Sequence, residues 1–167
     1  MSSSEKMLRT RNTSNKAKMA VNAIAISESA TKLENSLGSS ETWRIGDLDA
    51  AAIGVVVMRA LSIELLLKAF QAHSSPDSKY YEGHSLQELF NKIPNQVSDG
   101  LRQGFNHLTS SDLNEFLDSH ATLFVKWRYL WEQDENQVVD LRRLRIFALI
   151  LQKSLEALLL SHSLKEC

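Results

Sequence analysis

The stretch AAAIGVVVMRALSIELLLKAF, Ala50 to Phe70, decides the fold. It is the most apolar segment of the chain, but Arg59, Glu64 and Lys68 interrupt it, and a membrane-spanning segment of roughly 20 residues rarely carries such charges. A helix that is apolar almost all the way round and does not cross a membrane is buried among other helices. The segment therefore predicts a central core helix over about 48 to 72, opened by Asp47, whose side chain can accept from the first free backbone N–H groups.

Working outward, long uninterrupted segments dominate. Only two prolines and six glycines punctuate 167 residues, and few runs show the apolar–polar alternation of a half-buried strand. Before the central helix, KAKMAVNAIAISESATKLENSLG sets Met19, Ala23, Ile26 and Leu33 or Leu37 near one face. Gly38 suits the position just past the end of this first helix, predicted over about 15 to 37. After it, a polar loop leads to YYEGHSLQELF, Tyr80 to Phe90, in which Ser85 to Glu88 match a capping box: the serine oxygen bonds the Glu88 N–H and the glutamate reaches back. His84 then stands one residue before the cap, where it can pack on Leu89. The short helix over 86 to 92 is stopped by Pro94, since the residue before a proline disfavours helical dihedrals. A further helix follows over about 95 to 108, with Phe105 and Leu108 as its packed face. Another opens at Asp112 and Glu115 and carries through to Trp131, either unbroken or with a break near His120. The last, over about 137 to 162, repeats Leu141, Leu144, Ala148, Leu151, Leu155 and Leu158 three and four apart, widened by Ile146, Phe147 and Ile150. The apolar positions exceed what one packed face needs, so the surplus is available to a second copy. The predicted fold is all-α, an up-and-down bundle of four to five main helices plus short helices. One domain over 15–162 is expected, with flexible tails over 1–14 and 163–167.

Composition limits the chemistry. Lys plus Arg number 19 against 20 acidic residues, so no global field draws the chain to nucleic acid or to an anionic membrane. Cys167 is the only cysteine, which excludes a disulfide framework and a Cys-x-x-Cys pair and fits a reducing cytoplasm. The opening MSSSEKMLRTRNTSNK has no apolar run of signal-peptide length. No Gly-x-Ser-x-Gly surrounds Ser85, and a serine nucleophile needs a base and oxyanion donors. His73, His84, His107, His120 and His162 show no His-x-x-x-His spacing for a metal, and the glycines form neither a phosphate loop nor a dinucleotide fingerprint. No metal and no cofactor are expected.

Two features carry polar chemistry. Glu64 and Lys68 are four apart in the favourable order on an otherwise apolar helix, where a buried carboxylate needs paired cations. Lys68 supplies one, and Arg128 is the predicted second. In LFVKWRYLWEQ, the residues Phe124, Trp127, Arg128 and Trp131 form one stripe, flanked by Lys126, Tyr129 and Glu132. Aromatics interleaved with cations can stack bases and pair phosphates; tryptophans packed in the core against an arginine stem account for the same residues.

Taken in order, IELLLKAF, GHSLQELFNKIP and FVKWRYLWE resemble the HEPN family of small helical bundles over about residues 48 to 160. The positions that carry the resemblance are Glu64 and Lys68, then Gly83, His84 and Leu86, then Arg128, Tyr129 and Glu132. The resemblance implies a helical bundle, commonly a homodimer, of toxin–antitoxin, phage-defence and RNA-processing systems. Many members are metal-independent ribonucleases with an Arg-x4-6-His motif shared between subunits; others lack it and serve as binding or partner subunits, some beside small nucleotidyltransferases. Arg128, Arg142, Arg143 and Arg145 have no histidine at that spacing. Arg102 to His107, RQGFNH, is the one formal match, and it lies before the aromatic stretch rather than late in the chain. The expected function is a non-catalytic, nucleotide- or RNA-associated dimeric partner subunit. Its rivals are a ribonuclease using Arg102 and His107, and a plain protein-interaction scaffold.

Overall fold

A computed structural model describes residues 3–37, 42–44, 50–75, 81–121 and 138–163. Among these residues the chain forms six helices and a two-stranded antiparallel ribbon, an all-α bundle as the spacing predicts. In chain order the elements are α1 (Ser3–Leu37), β1 (Thr42–Arg44), α2 (Ala50–Ser74), α3 (Leu86–Asn91), α4 (Asn95–Thr109), α5 (Leu113–Ser119), β2 (Val138–Asp140) and α6 (Leu141–Ser163). None of the described helices is long and apolar enough to cross a membrane.

The central helix is α2, packed on α1, α3 and α6. Val55, Val56, Ala60, Ile63, Leu66, Leu67 and Phe70 are all buried, and full burial of each large apolar side chain contributes about 1.5–3 kcal/mol. Opposite it, α6 seats Leu141, Leu144, Phe147, Ala148, Leu151 and Leu155 in the core. Phe147 is the hub of an aromatic cluster, with ring centroids 6.3 Å from Phe90, 5.7 Å from Phe105 and 5.9 Å from Phe116. These tilted and edge-on contacts pin α3, α4 and α5 to α6.

Several elements differ from the sequence expectation. Helix α1 begins at Ser3 rather than near residue 15. Its buried stripe is Ala20, Ala23, Ser27, Ala30 and Glu34, whereas Met19, Ile26 and Leu33 are only half-buried and Leu37 is exposed. Small side chains let α1 lie close to α2, and the larger apolar residues flank that seam. Helix α6 starts at Leu141 instead of 137, because Val138–Asp140 pairs with Thr42–Arg44 and the Asp140 carboxylate accepts the Arg143 N–H at 2.8 Å, ending the strand in a helix cap. Helix α5 stops at Ser119, with His120 as its C-cap, at the place where the sequence allows a break; the stretch from there to Trp131 lies outside the described residues beyond residue 121. Leu108, expected on the packed face of α4, is 54% exposed, and Phe105 alone of that pair is buried.

Candidate functional site

Three polar residues in the second half of α2, Glu64, Lys68 and Gln71, recur at helical spacing, and all three are buried. They face the 81–85 segment and α3. Gln71 is the staple: its Oε1 accepts from the Tyr81 N–H at 2.7 Å and its Nε2 donates to the Leu89 carbonyl at 2.6 Å. A second tie comes from the opposite side, where the Leu86 N–H donates to the Ala121 carbonyl at 2.9 Å. The segment between Tyr81 and Leu86 is thus held against both α2 and the end of α5.

Held there, His84 meets α2. Its Nδ1 lies 3.0 Å from Glu64 Oε1, the same oxygen that accepts from Lys68 Nζ at 2.8 Å. A carboxylate that accepts from an ammonium is ionised and has no proton to give, so Nδ1 carries the hydrogen and donates it. The His84 side chain is half exposed, while Glu64 and Lys68 are almost fully covered. Glu64 Oε2 is buried with no hydrogen-bond partner among the described residues. The arrangement is a buried anion neutralised by one buried cation, with an imidazole oriented by the anion at the protein surface. The expected Glu64–Lys68 pair is present. His84, expected to pack on Leu89, makes this polar contact with Glu64.

Around His84 the helix-start reading holds in half. Ser85 is the N-cap of α3, its Oγ accepting from the Glu88 N–H at 3.3 Å. Glu88 does not complete the reciprocal bond; its carboxylate accepts from the Tyr81 hydroxyl instead. That hydrogen bond holds the Tyr81 phenol above its ordinary range, because ionisation would set two negative charges side by side. The Tyr81 ring lies against Gly83, where an added β carbon would come within 2.1 Å of it. Glycine is therefore required for this ring position.

Lys126, Trp127, Arg128, Tyr129 and Glu132 lie outside the described residues, and with them the proposed Glu64–Arg128 pair. Arg102 and His107 are both on α4. Arg102 is committed on the α3 side: its Nη1 donates to Asp99 Oδ1 at 2.9 Å and its guanidinium carbon stands 5.5 Å from the centre of the Phe90 ring. His107 is exposed near the end of the helix. No group of three or more His, Cys, Asp or Glu residues able to hold a metal occurs among the described residues.

Sequence reading missed a second buried ionic cluster. Arg59, 2% exposed, donates through Nη2 to Glu34 Oε2 at 2.5 Å and to Thr31 Oγ1 at 3.2 Å. Arg145 of α6 donates to Glu34 Oε1 at 3.0 Å. The signal for a partner was the arginine inside the apolar α2; the identity of that partner, on a different helix, has no sequence signature. Compared with known proteins, the chain matches no family model, no curated protein and no solved structure.

Proposed function

We propose that this protein is a HEPN-like helical subunit without nuclease chemistry of its own. It acts in the cytoplasm as a homodimer associated with nucleotide or RNA, or with a partner such as a small nucleotidyltransferase or the other half of a toxin–antitoxin pair, in a defence or stress module. The observation that carries the reading is the convergence of Glu64, Lys68 and His84 on one carboxylate oxygen. These are three of the positions on which the family resemblance rests, and the last comes from a separate element.

The non-catalytic part of the reading is supported by the state of Arg102, which a phosphate-binding role would need free. It is engaged by Asp99 and lies over Phe90, so α4 offers His107 no ready cationic companion. The dimer is supported by large apolar side chains left on the surface, Leu149 and Leu160 of α6 at 52% and 67% exposure and Leu108 of α4 at 54%. The test is incubation of the purified chain with single-stranded RNA in the presence of a chelator. The expected result is retention of RNA with no cleavage above that of an Arg102→Ala, His107→Ala control. Cleavage present in the natural chain and absent from that control would replace this reading with the ribonuclease one.

A further inference from the structure

Two of the surface clefts among the described residues are large enough for a small ligand. One, of about 430 Å³, is ringed by Ser110, Ser111, Ser119, Asp112 and Glu115. Its cation, Arg143, is already paired with Asp140 at 3.1 Å, and nothing in it is apolar except Phe116. The other, of about 360 Å³, is lined by Tyr81, Glu88, Asn91 and Lys92, and its chemistry is of a different kind.

Tyr81 is anchored at three places. Its N–H is bonded to the buried Gln71, its hydroxyl to Glu88, and its ring rests where Gly83 has no side chain. An aromatic ring fixed in this way binds a flat partner without first being ordered. On the neighbouring surface, at the C-terminal end of α3, Asn91 and Lys92 are exposed. An amide both donates and accepts, which matches the edge of a nucleobase, and an ammonium with no carboxylate in ion-pair range among the described residues is available to a phosphate. Glu88, one turn before Lys92 along α3, accepts from the Tyr81 hydroxyl and offers its carboxylate to base amino groups, while Lys92 is the group for the phosphate.

We propose that this cleft binds a nucleotide, with the base stacked on the Tyr81 ring, its edge met by Asn91 and its phosphate paired with Lys92. The inference rests on the nucleotide- or RNA-associated reading above and gives it a place. The volume fits one nucleotide, whether free or as one unit of a single strand, since both present the same base and phosphate.

The experiment measures the affinity of the full chain for AMP, UMP and a single-stranded RNA hexamer, at low and moderate salt. It compares the natural chain with Tyr81→Ala, Tyr81→Phe and Lys92→Ala. Stacking on one aromatic ring predicts that Tyr81→Ala weakens binding about 5- to 100-fold while Tyr81→Phe largely retains it. Lys92→Ala should weaken binding and reduce the salt slope by about one ion. Mononucleotide binding at strength similar to the hexamer assigns a free nucleotide as ligand; binding of the hexamer alone assigns single-stranded RNA. Should Tyr81→Ala lose its cooperative thermal transition, Lys92→Ala decides, its side chain being exposed. Binding by the natural chain that neither Tyr81→Ala nor Lys92→Ala weakens overturns the cleft and leaves the functional reading standing. A loss with Tyr81→Phe as large as with Tyr81→Ala overturns stacking in favour of the hydroxyl. Failure of the natural chain to bind any of the three probes overturns both the cleft and the nucleotide-associated reading.

Discussion

Ser85, His84 and Tyr81 sit within five residues and do three different things. Ser85 starts a helix, and Ser85→Ala should lower stability by about 1 kcal/mol, the usual cost of removing a serine N-cap. Chemical denaturation of the two chains at equal slope checks this, and an unchanged midpoint would remove Ser85 from the cap. Tyr81 contributes through its neutral hydroxyl, which donates to Glu88. Because its folded pKa is raised from 10.0, the contribution is complete below the unfolded value and is lost as pH climbs through the folded one. The stability difference between the natural chain and Tyr81→Phe should therefore stay constant from neutral pH to about pH 9 and shrink in more alkaline solution. Thermal melts at a series of pH values test the sign; a difference that grows with alkalinity would contradict the Tyr81–Glu88 bond. His84 shows the limit of local reading. Its place before a cap was visible in the sequence, but a residue preceding a helix gives no sign of which distant side chain it faces, and Glu64 is 20 positions away.

At the scale of elements, what was legible was whatever carries a strong period or a local chemical signature. The α2 core helix and the Leu141–Leu155 seam of α6 follow from apolar spacing, and Glu64–Lys68 follows from the four-residue repeat. Apart from Ala23, the buried stripe of α1 did not stand out, because Ala20, Ser27 and Ala30 give little contrast against their surroundings; close helix approach selects their size rather than their hydropathy. Three-residue strands fall below any readable alternation, so Val138 and Val139 passed as the first turn of α6 although β1 pairs with them. The same helix supports a prediction about assembly. Leu149 and Leu160 are exposed on α6, with Ile146 and Ile150 half-covered near the first and Leu158 and Leu159 half-covered near the second, and the Lys153–Glu156 pair lies between them. Light scattering at micromolar concentration should give twice the chain mass, and Leu149→Glu with Leu160→Glu should reduce it to the monomer value. A natural chain that is monomeric, or a dimer that survives both charges, would move the interface away from α6.

Across the whole molecule, the Arg59–Glu34–Arg145 cluster joins α1, α2 and α6 at a single carboxylate. Its two arginines are unequal. Arg59 is 2% exposed and donates to both Glu34 and Thr31, whereas the Arg145 side chain is 39% exposed. Only the Arg145 end of its pair with Glu34 is solvated, so Arg145→Ala should cost about 1 kcal/mol, near the upper end for a solvated pair, with Arg59 still neutralising Glu34. Removing Glu34 alone is another matter: Glu34→Ala leaves the Arg59 guanidinium buried and unpaired, at a cost of about 3–5 kcal/mol. That is a large part of the roughly 5–15 kcal/mol that holds a domain of this kind together. Replacing both members by apolar residues of similar volume, Glu34→Leu with Arg59→Met, removes the attraction and the two desolvation costs together, and should restore most of the loss seen in Glu34→Ala. Denaturant unfolding of the four chains gives the comparison. If the double variant were as unstable as Glu34→Ala, the cluster would act through the positions of the three helices rather than through charge compensation, and the buried arginine would have to be explained by packing of its stem.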